Sequence, residues 1–331
     1  MLEEIKRFLN QCYQQTDQWK LDQLHQIHFD DIKLYTPTAN GNTIIKWNEL
    51  FAENNMEHHQ KEVKYALVNS VSKKTSLIAN FDFSKIQSLT NSSSFGQSDH
   101  INGSWFKDIA EWGYAMYSGS ELSNIDEHDW ENNISHIEQQ GFTKNKPLDI
   151  SHYKWCNRYE CYNSGGSHHA AAASSQMRYQ QFQYYRNAEV TEYATNPECI
   201  NELEQQGFYL FLIAGFGSAH KISHKKLRCE QIIGDLISDR FYSIPLHYST
   251  PNETQIMIIR KEDLKIKARI FEKWYHAQLK MGNLVRLQEA MEDTSKYCTT
   301  AYVHQFKWLK LGDPFNTNDL KVKEMKKHTS D

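Results

Sequence analysis

Apolar residues recur at helical spacing in Ile5, Phe8, Leu9 and Cys12 and again in Leu21, Leu24 and Ile27, which predicts a helical flank at the start of the chain. The turn Thr36-Pro37-Thr38-Ala39-Asn40-Gly41-Asn42 interrupts it. Val63 to Val68 and Ser76 to Phe81 read as strands, and the polar stretch Thr90 to Ser98 as a loop or a domain boundary. From Asn102 to Pro251 short helices alternate with strands, including the apolar run Phe208-Tyr209-Leu210-Phe211-Leu212-Ile213-Ala214, which predicts a buried strand. Thr254 to Ile259 predicts one more strand. Leu264, Ala268, Phe271, Tyr275 and Leu279, with Ile270, Trp274, Ala277 and Met281, then mark a long helix with a broad apolar face and a break at Gly282. The pattern divides the chain into a flank over residues 1–100, a central segment over 101–251, and a strand, a long helix and a polar tail over 252–331. The fold class is α+β. The 264–291 stripe is read as core, with a partner or self-association face as the alternative, and the closing Lys321, Lys323, Lys326 and Lys327 as a solvated tail.

Candidate chemistry concentrates in Tyr162-Asn163-Ser164-Gly165-Gly166-Ser167-His168-His169, followed by four alanines. Paired glycines ahead of an alanine run predict a strand turning tightly into a helix. Gly165 and Gly166 supply positive φ or close backbone approach, and Ser167 is placed as the N-cap. The first N–H groups of such a helix lack internal partners and sit at the positive end of its dipole, so the natural guest is phosphate. Adjacent helical residues project about 100° apart, so His168 and His169 are poorly placed to share a metal, and no metal site is expected.

These residues resemble the sulfiredoxin signature Phe/Tyr-x-x-Gly-Gly-Cys-His-Arg-x-Ala-Ala and the broader Gly-x-His-Arg-x-x-Ala pattern of the ParB/sulfiredoxin-like superfamily. Upstream, Trp130 to Phe142 followed by Lys146-Pro147-Leu148-Asp149-Ile150 is similar to the superfamily's helix that ends at Gly before a Pro-initiated strand. Ala188 to Tyr193 stands where a later strand is placed. The resemblance covers about residues 122–212 and implies a small mixed-sheet core with helical elaborations at both ends. It further implies ATP or CTP at the turn, with Mg²⁺ as a bridging ion, and an NTPase or phosphotransferase that works by positioning and charge neutralisation. By analogy His168 is the buried, orienting residue and His169 faces the phosphate. Lys144 and Lys146, on the Gly-to-Pro loop that borders the nucleotide in the relatives, and Arg178 are the supporting cations. Glu160, on the strand entering the turn, is the candidate carboxylate, with Asp149 and Glu192 after it.

Two departures change that picture. Ser167 replaces the catalytic cysteine, and a serine hydroxyl cannot replace a thiolate in sulfinic-acid chemistry. His169 replaces arginine, exchanging a permanent fork for a conditional charge. A non-catalytic nucleotide-sensing or partner-binding module is therefore the second reading, and a ParB-like nuclease or DNA-associated protein the third. Against the third stand a net charge of −4 over 331 residues and a pI near 6.5, where a nucleic-acid binder normally carries a basic surplus. The charged start and the lack of a membrane-length apolar run predict a cytoplasmic protein. Six scattered cysteines predict reduced thiols, with Cys161 close to the turn.

Overall fold

The computed structural model describes residues 2–14, 16–27, 29, 32, 45–90, 104–106, 108–115, 123–215, 219–222, 225–246, 254–293 and 302–304. Turn 36–42, the polar stretch beyond Thr90 and the closing lysine cluster lie outside them. The helices are α1 (Leu2–Gln14), α2 (Asp17–Leu24), α3 (Trp47–Leu50), α4 (Lys61–Asn69), α5 (Ile109–Ala115), α6 (Glu127–Gln139), α7 (Ser167–Gln180), α8 (Glu198–Gln205), α9 (Cys229–Leu236), α10 (Ala268–Met281) and α11 (Leu287–Glu292). The strands begin with β1 (Val71–Asp82), β2 (Ile86–Leu89), β3 (Ser104–Phe106), β4 (Leu148–Tyr153), β5 (Arg158–Cys161) and β6 (Tyr185–Thr195). They continue with β7 (Phe208–Ile213), β8 (Ala219–Ile222), β9 (Lys225–Arg228), β10 (Phe241–Pro245), β11 (Gln255–Arg260), β12 (Leu284–Arg286) and β13 (Tyr302–His304). The α+β class holds. Among the described residues no helix is long and apolar enough to cross a membrane.

Two compact units interleave along the chain: 1–34, 47–71 and 196–293 form the first, and 35–46, 72–195 and 294–331 the second. The three consecutive segments read from the sequence are thus redistributed, the central one being divided after Thr195.

In the first unit the predicted strands β7 and β11 are the two inner strands of a sheet ordered β10-β11-β7-β12. Their neighbour pairs are antiparallel throughout. The apolar stripe of α10 is spent inside this unit: Phe271, Trp274 and Tyr275 pack with Leu21, Leu24, Phe211, Met257 and Ile259. This matches the reading of the stripe as core, with Met281 at its end exposed. Gly282, at φ +77, ends α10 instead of interrupting a longer helix. Val63 to Val68, expected as a strand, lies within α4 with Val63, Ala66 and Leu67 buried. Spacing of i, i+3 and i+4 decides for helix where a short apolar run fits either period.

The second unit carries the turn. Its sheet runs β1-β6-β4-β5-β2. β4 is antiparallel to β5 and parallel to β6, and β2 is parallel to β5. Side-chain bonds from Ser72 to Ala194 O and between Thr75 and Thr191 run β1 antiparallel to β6. Leu148, Ile150, Cys161, Ala188 and Val190 form one core with Ile137 of α6 and Ala170, Ala171 and Ala172 of α7. Alternation sends Ser151, Tyr153, Arg158 and Glu160 to the opposite face.

Small residues along α7 serve close helix packing. A Cβ on Gly113 of α5 would lie 1.9 Å from the Ala171 carbonyl oxygen, so α5 docks backbone to backbone against α7. Ala170 to Gln176 are buried as a continuous run.

Candidate functional site

The strand-to-helix turn forms where the glycines predict it, by different local chemistry. Gly166 itself is the N-cap of α7, at φ 67 and ψ 13, and no side chain caps the helix. Ser167 is the first helical residue. This corrects its assignment as a cap. The helix ladder begins with Ala170 N donating to Gly166 O at 2.9 Å. Asn163, fully buried, ties the turn by donating from Nδ2 to Gly165 O at 2.9 Å.

The glycine pair divides its labour. A Cβ on Gly166 would stand 2.3 Å from the Gln140 carbonyl oxygen, and a Cβ on Gly141 would stand 2.1 Å from the Gly165 oxygen. Gly141, at φ +95, is the C′ residue closing α6. Phe142 N donates back to Ile137 O in the Schellman pattern. The end of α6 and the start of α7 therefore meet without side chains between them. The position a Cβ on Gly165 would take is open, with nothing within 4 Å. One side of the turn is sealed by backbone and the other faces free space.

The histidines turn inward. His169 Nδ1 lies 2.9 Å from Asn133 Oδ1. Asn133 Nδ2 already donates to Gln176 Oε1 at 3.0 Å and Ser123 O at 2.9 Å. Its oxygen is left to accept, and the proton of His169 therefore sits on Nδ1. The ring also stacks on His136 of α6, with centroids 3.7 Å apart and 23° between planes. Burial, reinforced by His136 and His168, pushes the His169 imidazole down to about 4. It is neutral near pH 7. This corrects the phosphate-facing, chargeable role expected of it, because its polar edge is committed to α6. Burial also pushes the His168 imidazole below its ordinary value.

The expected cations and carboxylates are dispersed. Arg178 forks onto Asp108, one arm at 2.8 Å, and so fastens α7 to the start of α5. Asp108 in turn caps Ala110 N and Glu111 N at 3.1 Å each. Arg178 is thereby corrected from phosphate ligand to helix fastener. Lys144 stands on the surface with Glu138 at 3.2 Å, and Lys146 is exposed. Glu160 lies on the sheet face opposite α7, its side chain 1% exposed, with Lys46 Nζ at 2.6 Å and Tyr153 Oη donating at 3.4 Å. Sheet alternation keeps its carboxylate from the turn, which corrects its candidacy as the catalytic acid there. Asp149 is exposed, while Glu192 meets Lys154 at 3.3 Å and His152 at 3.6 Å. Cys161 is a core residue whose thiol burial pushes up, not a pocket residue. Among the described residues no cluster of three metal-ligating side chains occurs.

Arg186 is the residue that the sequence reading passed over. It is 8% exposed. Its Nη1 donates to Phe142 O at 3.1 Å and Tyr184 Oη at 2.9 Å. Its Nη2 reaches Thr143 O at 2.8 Å, Lys144 O at 3.0 Å and Lys146 O at 2.8 Å. A buried guanidinium thus holds the loop from Gly141 to Pro147 by its carbonyls, and Gly141 sets that loop against the Gly165 turn. A lone arginine in a strand pattern gives no sign of this, since its partners lie some 40 positions upstream.

No curated protein and no solved structure matches this chain. A model for a family of unknown function (DUF6685) matches residues 98–268, a span that takes in the turn, the α6–α7 pair and Arg186. The chain belongs to that family.

Proposed function

We propose that this DUF6685 protein binds a phosphate-bearing nucleotide at the start of α7 and does so as a sensor or partner-binding module, without turning it over. The observation that carries this reading is the backbone contact between Gly141 and the Gly165-Gly166 turn. It brings the loop bearing Lys144 and Lys146, with Arg186 buried behind it, beside the amino end of an α-helix whose Gly165 side is open. Amide donors at a helix start, with cationic residues on an adjoining loop, suit an anion. The ParB/sulfiredoxin-like resemblance supports ATP or CTP as the bearer, with Mg²⁺ as a companion ion, and a cytoplasmic setting goes with nucleotide binding.

Binding is favoured over catalysis by the way the reactive side chains are spent. Phosphoryl transfer needs a carboxylate or other base within hydrogen-bond reach of the nucleophile. Glu160 points to the far sheet face and is bonded to Lys46. His169 is bonded to Asn133. A DNA-directed role draws no support from either arrangement.

The test is a thermal-shift panel of nucleoside triphosphates, with and without Mg²⁺, on the wild type and on Gly165→Asp. Gly165 has room for a side chain, so the variant should melt where the wild type does in the absence of ligand, while its carboxylate repels phosphate. Stabilisation by one nucleotide that vanishes in Gly165→Asp, with no phosphate release, is the expected result. Stabilisation that survives Gly165→Asp would move the site elsewhere, and phosphate release would restore the enzymatic reading.

A further inference from the structure

The first unit holds a cleft of about 220 Å³ at the end of its four-stranded sheet, far too well furnished with charge and rings to be a packing gap. Antiparallel register builds it. Arg260 on β11 pairs with Phe208 on β7. Phe241 pairs with Ile259, which sets the preceding Arg240 opposite Arg260 on the other side. One level of the sheet therefore carries Arg260 and Phe208, with Arg240 just before β10 beside them, and the next row on the same face contributes Tyr242 and Ile258. Gln60, just before α4, Phe241 and Asp263 complete the lining.

Two like charges gathered at one mouth are unfavourable unless something shares them. Their present partners share them weakly. Arg240, 84% exposed, stands 3.8 Å from Asp263, and Arg260, 43% exposed, stands 3.2 Å from Glu262. Solvated pairs of this kind contribute little. The Arg260 guanidinium instead lies 5.7 Å from the Phe208 ring centroid. Tyr242 is backed by His59, with centroids 4.9 Å apart. The cleft combines a planar cationic fork that matches an oxyanion two bonds at a time with the half-buried Tyr242 ring, against which a flat body can stack, while the buried Phe208 is the wall on which the Arg260 fork rests.

We infer that this cleft is a binding site for a small molecule carrying a carboxylate or phosphate on a planar ring. Arg240 and Arg260 would take the oxyanion, Tyr242 the ring, and Gln60 a polar ring substituent. The volume sets the size: it is below the usual range for drug-sized ligands, so one ring and its anionic group fill it. The site is independent of the nucleotide reading, as no residue is common to both.

Calorimetric titration with benzoate, phenyl phosphate, inorganic phosphate and cyclohexanecarboxylate tests it on the full chain. Benzoate or phenyl phosphate should bind more tightly than inorganic phosphate and cyclohexanecarboxylate. Arg260→Gln and Arg240→Gln should each weaken binding about 10- to 100-fold, as the loss of a charged hydrogen-bonding pair does. Tyr242→Leu should remove the preference for the flat ring, and Gly165→Asp should change nothing. The preference of benzoate over phenyl phosphate, or the reverse, identifies the oxyanion. No binding by any probe at millimolar concentration, unchanged affinity in both arginine variants, or equal affinity for flat and puckered rings would overturn the inference.

Discussion

His169 makes the fold sensitive to acid over a window that the structure defines. Its ring stacks on His136 and bonds to Asn133, and it is pushed down to about 4 from an ordinary value near 6.5. The unfolded chain therefore takes up a proton at this residue as pH falls below about 6.5, while the folded protein resists it until about 4. Stability is fully present above 6.5, is lost progressively as pH falls, and is exhausted below about 4. The full depression corresponds to at most about 3.5 kcal/mol at roughly 1.4 kcal/mol for each pH unit. Partial solvent access to the ring reduces the expected loss to about 1–2 kcal/mol. The perturbation is His169→Gln, whose amide still donates to Asn133 but does not titrate. Urea unfolding at pH 7, 6, 5 and 4 on both proteins isolates the term, because every other ionisable group is common to them. The wild type should lose about 1–2 kcal/mol more than the variant between pH 7 and 4. Equal losses, or an NMR titration of His169 centred near 6.5, would refute the reasoning.

Two further outcomes follow from the packing. Gly166→Ala should destabilise the protein by about 3 kcal/mol or more, since it combines positive φ with a Cβ driven into the Gln140 carbonyl; a variant within 1 kcal/mol of wild type in urea would mean that the two turns do not meet. Lys46→Met should cost about 3–5 kcal/mol by removing the cation from the buried Glu160 carboxylate, and Glu160→Gln in the same background should recover part of that, so a double variant no more stable than Lys46→Met would count against the pair.

Much of the framework was legible because periodicity and local residue chemistry decide it. β7 and β11 announced themselves as apolar runs, and Gly141 followed by Pro147 marked the end of α6 and the start of β4. α4 did not, since Val63-Lys64-Tyr65-Ala66-Leu67-Val68 fits a strand until Val63, Ala66 and Leu67 are seen to share one buried side. The site was legible in place and misread in role. Which residue caps α7 depends on the Gln140 carbonyl, 26 positions upstream, and what His169 does depends on Asn133 and His136 on another helix. Asp108 claims Arg178 from 70 positions away, and Lys46 claims Glu160 from 114. No local pattern carries such information, because these partnerships are made by the sheet and by the docking of α5, α6 and α7.

The carbonyl cradle around Arg186 bears on how the nucleotide reading should respond to acidity. Guanidinium and ammonium groups keep their charge across the physiological range, and His169 stays uncharged until about pH 4. His169 and the arginine and lysine groups of the site thus present a constant charge to a ligand between pH 5 and 8. Against these fixed charges it is the ligand that changes across that interval, a phosphate monoester losing its second proton near ~6. To those groups, a change of affinity with pH would be the titration of the guest, read by fixed electrodes.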